Sequence, residues 1–219
     1  MAVLSPTAPR LLSISPPGPE AAGRWVSRAP ELVEVGAEAL LLRLCPDRGD
    51  QADARAEMET TARRWTEHLA ALGLPLLVHL KTPGAEALAT RLDLGLHLPA
   101  GVEAGAFVGR FAALGQSCHS LVELRRAAAA GCTYATLSPV FRPRSKVDLR
   151  PVLGISGLRE CCVALGSSLP VLALGGIVPP QVQACLAGGA QGIAGIGMFG
   201  SVDAVAAMKS ALSVYAPPV

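Results

Sequence analysis

Aromatic and charged side chains are both scarce in this sequence. Aromatic residues make up 4% of the 219 residues and charged residues 16%, whereas 51% are hydrophobic. With so few aromatics, we expect a core in which Leu, Ala and Val pack between helices and a sheet. The formal net charge is only +2 and is scattered along the chain, so the sequence lacks the basic surface of a nucleic-acid-binding protein.

Long apolar runs are missing as well. No stretch approaches the roughly 20 uninterrupted apolar residues of a membrane-spanning helix. The first 20 residues contain five prolines and lack the basic segment followed by an apolar run that a secretory signal has. We therefore expect a cytoplasmic protein whose partner is neither a membrane nor a nucleic acid. The sequence does not decide between a monomer and a homo-oligomer.

Closely spaced cysteines and histidines, which bind zinc, are absent too. The six cysteines and four histidines form no C-x2-C or H-x3-H pair. We predict buried reduced thiols, no metal site and no resident cofactor. Cys45 could be a nucleophile, but no base is identifiable beside it, and an inert thiol is the simpler interpretation.

One repeated unit is present instead. An apolar strand is followed by a polar or glycine-containing loop and then by an Ala/Leu-rich helical pattern. The eight candidate strands are Leu11–Ser15, Ala39–Leu44, Leu74–Leu80, Gly95–Leu98, Ala113–Ser117, Tyr134–Val140, Pro170–Leu174 and Gly192–Ile196. They are apolar on both faces, as in a parallel sheet covered by helices. This α/β pattern predicts a single-domain (β/α)8 TIM barrel over residues 1–219. A doubly wound open sheet is the alternative, but the first turn lacks its G-x-G-x-x-G motif.

Helical patterns occupy the segments between the strands. Three of them have boundary signals: a C-terminal glycine, an S-x-x-E capping box or a Pro-Pro start. These helices are Asp50–Leu72, Ser120–Ala130 and Pro179–Gly188. Glu103–Phe111 is predicted as a further, shorter helix, although Gly105 and Gly109 weaken its pattern.

The loops after the last three strands indicate a phosphate site. The glycines of two of these loops, Gly175–Gly176 and Gly195–Gly197, have no side chains, so a ligand can approach the backbone N–H groups closely. The loop after the sixth strand contains a cluster that can bind phosphate through charge-assisted hydrogen bonds. The cluster consists of Arg142, Arg144, Ser145 and Lys146. Phosphate sites of TIM barrels commonly use the loops after strands 7 and 8. A small phosphorylated molecule is the predicted ligand, and a solvated basic loop is the alternative.

These motifs resemble those of one family. The pattern S-P-V-F-(x)3-S-K at residues 138–146, followed by P-V-L-A-L-G-G-I and G-I-A-G-I-G-M-F, is similar to the thiamine phosphate synthase and TenI family. The resemblance is strong from Gln116 to Gly200 and weaker upstream. It implies a TIM barrel of thiamine biosynthesis or salvage that holds a thiazole phosphate across the top of the barrel.

The resemblance also implies roles for particular residues. Ser117 matches a serine near the family's pyrimidine pocket, and His79 replaces an active-site Asn, where an unperturbed imidazole would suit general acid/base work. A satisfied core or rim histidine is the alternative for His79 and for His97. The implied catalytic residues are His79, Ser117 and Lys146. The implied binding residues are Arg43, Lys81, Ser145, Lys146, Gly175, Gly176, Gly195 and Gly197.

The sequence departs from the family where its transferases hold diphosphate and Mg²⁺. The residues after the third strand are His79-Leu80-Lys81, and those after the fourth are Pro99-Ala100-Gly101, so neither expected metal position has a carboxylate. Arg43 alone remains from the second-strand motif. These departures favour the TenI branch, yet the position of the tautomerase histidine is Pro139.

Two classes of function follow from this comparison. The first is an enzyme of thiamine biosynthesis or salvage, either a transferase or a thiazole tautomerase-like isomerase. Within it, an active thiamine phosphate synthase that joins aminopyrimidine diphosphate to thiazole phosphate is the alternative, and only that activity would require Mg²⁺. The second is a non-catalytic binder or regulator that keeps the phosphate site.

Overall fold

Eight parallel strands form the centre of the molecule. The computed structural model describes residues 8–45, 52–142, 151–197 and 201–213. The strands are β1 (Leu11–Ile14), β2 (Ala39–Leu42), β3 (Leu76–His79), β4 (Gly95–Leu98), β5 (Leu114–Cys118), β6 (Tyr134–Leu137), β7 (Val171–Leu174) and β8 (Gly192–Gly195). They hydrogen-bond in chain order and β8 returns to β1, which closes the barrel. The predicted TIM barrel and its eight strands are confirmed, although most strands are shorter than predicted.

Helices cover the outside of the barrel. Within the described residues they are α1 (Pro19–Glu34), α2 (Ala52–Ala70), α3 (Ala85–Leu92), α4 (Leu121–Ala129), α5 (Gly154–Leu165), α6 (Val182–Ala187) and α7 (Val202–Ser213). The capping box predicted before α4 is confirmed, since the Ser120 hydroxyl accepts from the Glu123 N–H at 3.2 Å. None of the helices in the described ranges is long and apolar enough to cross a membrane.

The helix predicted over Glu103–Phe111 is wrong. This segment forms only a short 3-10 turn, Ala104–Phe107. Gly109 has a φ of 74°, a left-handed conformation that an α-helix does not contain. Gly105 has open space within 4 Å where a side chain would stand, so the segment has no packing partner there. Ala104, Phe107 and Phe111 contact the core, but two glycines in nine residues, one of them in a left-handed conformation, disfavour an α-helix here.

Side-chain alternation separates an inner and an outer buried layer. The apolar residues inside the barrel form one packed cluster: Leu12, Ile14, Ala39, Leu41, Leu77, Ala113, Tyr134, Leu172 and Ala194. The residues between them, such as Leu40, Val78 and Leu96, belong to the larger cluster under the helices. The strands are apolar on both faces because both faces are buried.

One glycine makes room for the largest side chain of the interior. Tyr134 is 1% exposed, and Gly115 lies opposite it in the register of β5 and β6. A Cβ at residue 115 would overlap the Tyr134 ring. This glycine within a strand therefore marks the place where an aromatic ring occupies the barrel.

Polar contacts join the first and last elements of the fold. The Glu38 carboxylate accepts from the Arg10 N–H at 2.8 Å and from the Lys209 Nζ at 2.9 Å. The Arg10 guanidinium in turn donates to the Leu212 carbonyl at 2.8 Å. Together these bonds hold α7 against the start of β1, at the seam where β8 meets β1.

Candidate functional site

Four polar side chains from separate strands meet at the C-terminal end of the barrel. Arg43 follows β2, His79 ends β3, His97 lies in β4 and Ser117 lies in β5. His79 and His97 are paired in register, and their rings stack with centroids 5.8 Å apart at 30°. TIM-barrel enzymes carry their active sites at this end. His79, Ser117 and Arg43, which were predicted from separate parts of the sequence, thus belong to one end of the barrel, which we call the mouth.

His97 links two hydroxyl groups inside the barrel. Its Nδ1 lies 2.8 Å from the Tyr134 hydroxyl, and its Nε2 lies 3.0 Å from the Ser117 hydroxyl. Tyr134 and His97 are almost fully buried, whereas Ser117 is half-buried. The predicted site residue Ser117 is therefore held from behind by a buried polar chain.

His79 does not have the unperturbed imidazole expected of it. Burial, together with the smaller effects of the positive charges of Arg43 and Lys81, lowers its pKa to about 3. The Lys81 N–H donates to His79 Nδ1 at 3.2 Å, so this nitrogen is an acceptor. At neutral pH the ring is uncharged, and it is a weak base.

Arg43 and Lys81 line a cavity of about 640 Å³ between the loops that follow β2 and β3. The Arg43 Nε is buried and has no hydrogen-bond partner among the described residues. The Ser15 hydroxyl accepts from the Arg43 N–H at 2.7 Å and donates to the Arg43 carbonyl at 3.1 Å, which fixes the backbone at this residue. A guanidinium with an unsatisfied buried N–H is suited to an anionic ligand.

The glycines after β7 have a structural cause of their own. Gly175 has a φ of 102° and Gly176 a φ of 64°. A Cβ at residue 176 would lie 2.5 Å from the Arg142 carbonyl oxygen, and one at residue 175 would lie 2.9 Å from the Pro139 Cα. Both glycines are thus required by the close approach of the β6 loop. Their predicted contact with phosphate stays a prediction.

Gly197 differs from these two. Its φ lies outside the left-handed region, and open space surrounds the position of a Cβ to 4 Å. Nothing in the described residues explains why this position is glycine. Gly195, which ends β8, pairs in register with Ser13 of β1. A glycine without a steric or conformational cause at the mouth is consistent with the close approach of a ligand.

Two predicted phosphate ligands, Ser145 and Lys146, lie outside the described residues, as does Arg144 of the same cluster. Arg142, at the end of the described segment, is exposed. The structure therefore brings Arg43, His79, Lys81, Ser117 and the glycines to the mouth, and the roles of the β6-loop residues stay predictions.

No metal centre is built from the part of the chain that the structure describes. No group of three or more His, Cys, Asp or Glu side chains in it could hold a metal ion. Each cysteine is a free thiol. Burial raises the pKa of Cys118 to about 12 and that of Cys132 to about 11, which keeps these thiols protonated and unreactive.

Comparison with known proteins identifies the family. The family model described as thiamine monophosphate synthase matches residues 11–199. A thiamine-phosphate synthase of Xanthomonas campestris pv. campestris is 34% identical over 169 residues, which are 74% of this chain and 78% of that protein. This chain belongs to the thiamine monophosphate synthase family.

Other relatives in the family match over a shorter range. A thiamine-phosphate synthase of Methanoculleus marisnigri is 41% identical over 98 residues, 44% of this chain and 46% of that protein. For four curated relatives the match covers between 44% and 60% of their length, so the chain spans about half of these proteins. A solved thiamine phosphate pyrophosphorylase from Pyrococcus furiosus has the same fold, with a TM-score of 0.70 and 22% identity over 93% of this chain and 95% of that one.

The segment that departs from the family after β3 lies at the mouth. Lys81, which belongs to the His79-Leu80-Lys81 segment where the resemblance implies a carboxylate, lines the cavity. Glu86 also lines this cavity, but its carboxylate pairs with Arg110 at 2.9 Å. The described wall of the mouth between β2 and β3 is therefore cationic.

Sequence reasoning missed the buried part of the site. His97 was interpreted as a core or rim residue, and Tyr134 was not considered, yet both connect to Ser117. Thr136, next to Ser117 in the register, is fully buried with no partner for its hydroxyl within the described residues. The available signal was Gly115, because a glycine within an apolar strand indicates a large neighbour inside the barrel.

Proposed function

We propose that this protein binds a thiazole phosphate at the mouth of the barrel and is closer to the TenI branch than to a complete thiamine phosphate synthase. The observation that carries the proposal is the cationic wall formed by Arg43 and Lys81. Two positive charges beside a cavity favour a phosphorylated ligand. The same charges oppose Mg²⁺, which binds through carboxylates and phosphate oxygens.

The energetics of Arg43 support an anionic ligand. Its Nε is buried and has no partner in the part of the chain that the structure describes, and a buried donor without an acceptor is destabilising by about 1–3 kcal/mol. A phosphate oxygen would supply that acceptor and keep the charge paired. Gly197 supports the same ligand, because it leaves open space at the end of the barrel where TIM barrels commonly hold phosphate.

Proton transfer at His79 would depend on the ligand. Burial is the largest cause that lowers its pKa, followed by the charges of Arg43 and Lys81, and a bound phosphate would offset only the two charges. The pKa of His79 would then rise, which favours its use for proton transfer in a tautomerase-like reaction. Binding without turnover is the second candidate function, and the low pKa that burial gives His79 favours it.

The test is calorimetric titration of the full chain with thiazole phosphate, with and without Mg²⁺. We expect binding that is unchanged by Mg²⁺ and that weakens by roughly tenfold or more in Arg43→Gln and in Lys146→Ala, since a charged hydrogen bond contributes about 1.5–3 kcal/mol. Arg91→Gln is the matched control, because Arg91 pairs with Glu67 on the helical surface. Equal losses in the control, or binding that requires Mg²⁺, would refute the proposal.

A further inference from the structure

We infer that Tyr134 and His97 fix the Ser117 hydroxyl as a hydrogen-bond donor towards the mouth of the barrel. Ser117 therefore favours a ligand that places a hydrogen-bond acceptor, such as a phosphate oxygen or an unprotonated ring nitrogen, against it. The inference rests on the proposed function only in placing a ligand at Ser117. The proton arrangement behind Ser117 is a property of the protein itself.

The surroundings of His97 determine the charge of its ring. The ring is 2% exposed and stacks on His79. Burial holds the pKa of His97 well below its ordinary value, with smaller contributions from His79 and Arg43. The imidazole is therefore neutral, with one N–H and one acceptor nitrogen.

The contact with Tyr134 determines which nitrogen of His97 carries the proton. The Tyr134 hydroxyl is 2.8 Å from His97 Nδ1, and this is the only hydrogen-bond partner of Tyr134 among the described residues. If Nδ1 carried the proton, the buried hydroxyl hydrogen of Tyr134 would have no acceptor. If Nδ1 is unprotonated, Tyr134 donates to it and no buried donor is left over, which is the favoured arrangement.

The tautomer of His97 determines how the Ser117 hydroxyl is hydrogen-bonded. With Nδ1 as the acceptor, the proton lies on Nε2, which donates to the Ser117 oxygen at 3.0 Å. The Ser117 hydrogen is then not needed by His97. Ser117 is half-buried at the C-terminal end of β5, so its hydroxyl can donate into the mouth. Nε2 occupies one of the two lone pairs of the Ser117 oxygen, whereas the hydroxyl hydrogen is left entirely for a ligand.

The position of Tyr134 is itself specified by the fold. Gly115 lies opposite Tyr134, and a Cβ there would overlap the ring near its hydroxyl end. The barrel thus keeps a space for this ring at the position from which its hydroxyl reaches His97. Tyr134 and His97 are positioning residues, because they act on the ligand only through Ser117.

The direct test is the tautomer of His97 in full-length protein labelled with ¹⁵N-histidine, read from long-range proton–nitrogen NMR correlations at neutral pH. His97→Asn identifies the resonances. We expect the Nε2–H tautomer alone in the wild type. In Tyr134→Phe this tautomer should remain, because an Nδ1–H would be a buried donor without an acceptor, but the Nδ1 chemical shift should change with the loss of the Tyr134 hydrogen bond. Thr136→Val is the matched control, since it removes a barrel hydroxyl that has no partner among the described residues, and it should leave the Nδ1 shift of His97 unchanged.

An Nδ1–H tautomer or an imidazolium in the wild type would overturn the inference, and this reading requires no variant to fold. A His97 Nδ1 shift in Tyr134→Phe that equals that of the wild type would also overturn it, because Tyr134 would then not donate to Nδ1. The affinity for thiazole phosphate provides the second arm. We expect losses of roughly three- to tenfold in Ser117→Ala and a smaller loss in Tyr134→Phe. Tyr134→Phe should have no further effect in the Ser117→Ala background.

An equal effect of Tyr134→Phe with and without the Ser117 hydroxyl would show that Tyr134 does not act through Ser117, and the inference would be wrong. If the wild type does not bind thiazole phosphate, the proposed function fails. The NMR reading still decides the proton arrangement in that case, so the two failures are distinguishable.

Discussion

Gly176 lies so close to Arg142 that a Cβ on the glycine would stand 2.5 Å from the Arg142 carbonyl oxygen. Backbone bonds join the same two loops, since the Val140 N–H donates to Leu174 and the Phe141 N–H donates to Gly175, each at 2.9 Å. The described part of the β6 loop, as far as Arg142, and the β7 loop therefore form one unit at the mouth. Gly175 and Gly176, which are predicted to contact phosphate, depend on this packing for their position.

Gly176→Ala is expected to destabilise the fold. The substitution adds a side chain at a φ of 64° and forces the β6 loop to move. Gly73→Ala is the matched control, because Gly73 has a φ of 73° but open space around it. Strain at positive φ is about 1–3 kcal/mol in both variants, and the clash adds to it only in Gly176→Ala. Equal urea unfolding free energies for the two variants would exclude the close approach as a constraint.

Gly197→Val is expected to reduce ligand affinity and leave folding nearly unchanged. Gly197 does not have a left-handed φ, and a Cβ at this position would have none of the described residues within 4 Å. The valine would instead fill the space predicted for phosphate oxygens. We expect a thermal midpoint close to the wild type and a loss of roughly tenfold or more in affinity for inorganic phosphate or thiazole phosphate. Gly105→Val, in the exposed turn before β5, should change neither affinity nor folding appreciably.

The eight strands could be predicted from the sequence because each is a short apolar run that ends in glycine, proline or a polar residue. Helix α1 could not be delimited, since Pro19 and Pro30 interrupt the sequence pattern while the structure places one at the first turn and the other inside the helix. For Glu103–Phe111 the reverse holds, because the sequence predicts a helix that the structure does not contain. Most of its residues suit a helix, but Gly109 adopts a left-handed φ of 74°, which an α-helix does not contain.

Site residues could be predicted from the sequence where they belong to a recognisable motif, but properties that arise only from tertiary contacts could not. Ser117, at the end of a predicted strand, and Arg43, within a predicted strand, are examples of the first kind. The low pKa of His79 could not, because it results from burial and from charges on two neighbouring loops. The link from Tyr134 through His97 depends on the register of β4, β5 and β6, which the sequence does not specify.

Stability is expected to fall in mild acid. In the folded protein the pKa of His79 is lowered to about 3, whereas a histidine in the unfolded chain has a pKa of about 6.5. Between these two pH values the unfolded chain therefore binds more protons than the folded protein. Stability from the neutral ring is therefore fully present above about pH 6.5 and is lost as the pH falls towards the folded pKa. His79 alone predicts a loss of about 2 kcal/mol between pH 7 and pH 5.

Urea unfolding across this pH range measures the effect. His79→Asn should flatten the pH dependence, whatever its effect on stability at pH 7. His68→Asn is the control, because His68 lies exposed on α2, and its slope should match the wild type. A His79→Asn slope equal to that of the wild type would mean that His79 does not remain neutral in the folded barrel.

Glu38→Ala is expected to weaken the closure of the barrel. The carboxylate accepts from the Arg10 N–H and from Lys209, and its loss leaves the backbone donor without that acceptor. We expect a decrease of about 1–2 kcal/mol in the free energy of unfolding. Glu67→Ala, which removes an ion pair of the same 2.9 Å length between exposed side chains, should change stability by less than about 1 kcal/mol. Equal effects would show that only the surface ion pair of Glu38 matters.

The sharpest prediction is that the protein makes little or no thiamine phosphate from aminopyrimidine diphosphate, thiazole phosphate and Mg²⁺. Departure of diphosphate requires its developing negative charge to be neutralised by metal and cations, which contributes several kcal/mol to lowering the barrier. The described mouth offers Arg43 and Lys81, while its lining carboxylate Glu86 is paired with Arg110.

Lys81 can replace part of the charge of a metal but cannot bridge two phosphates as a metal does, so a trace of product is compatible with this reasoning. Product formation is measured by chromatography under saturating substrates, with Lys81→Asp as the informative variant. If the missing carboxylate is what prevents the reaction, Lys81→Asp should gain Mg²⁺-dependent activity over the wild type. Wild-type turnover within about tenfold of a complete synthase would contradict the prediction. It would mean that acidic residues outside the described ranges, such as Asp47 or Asp50, hold the metal.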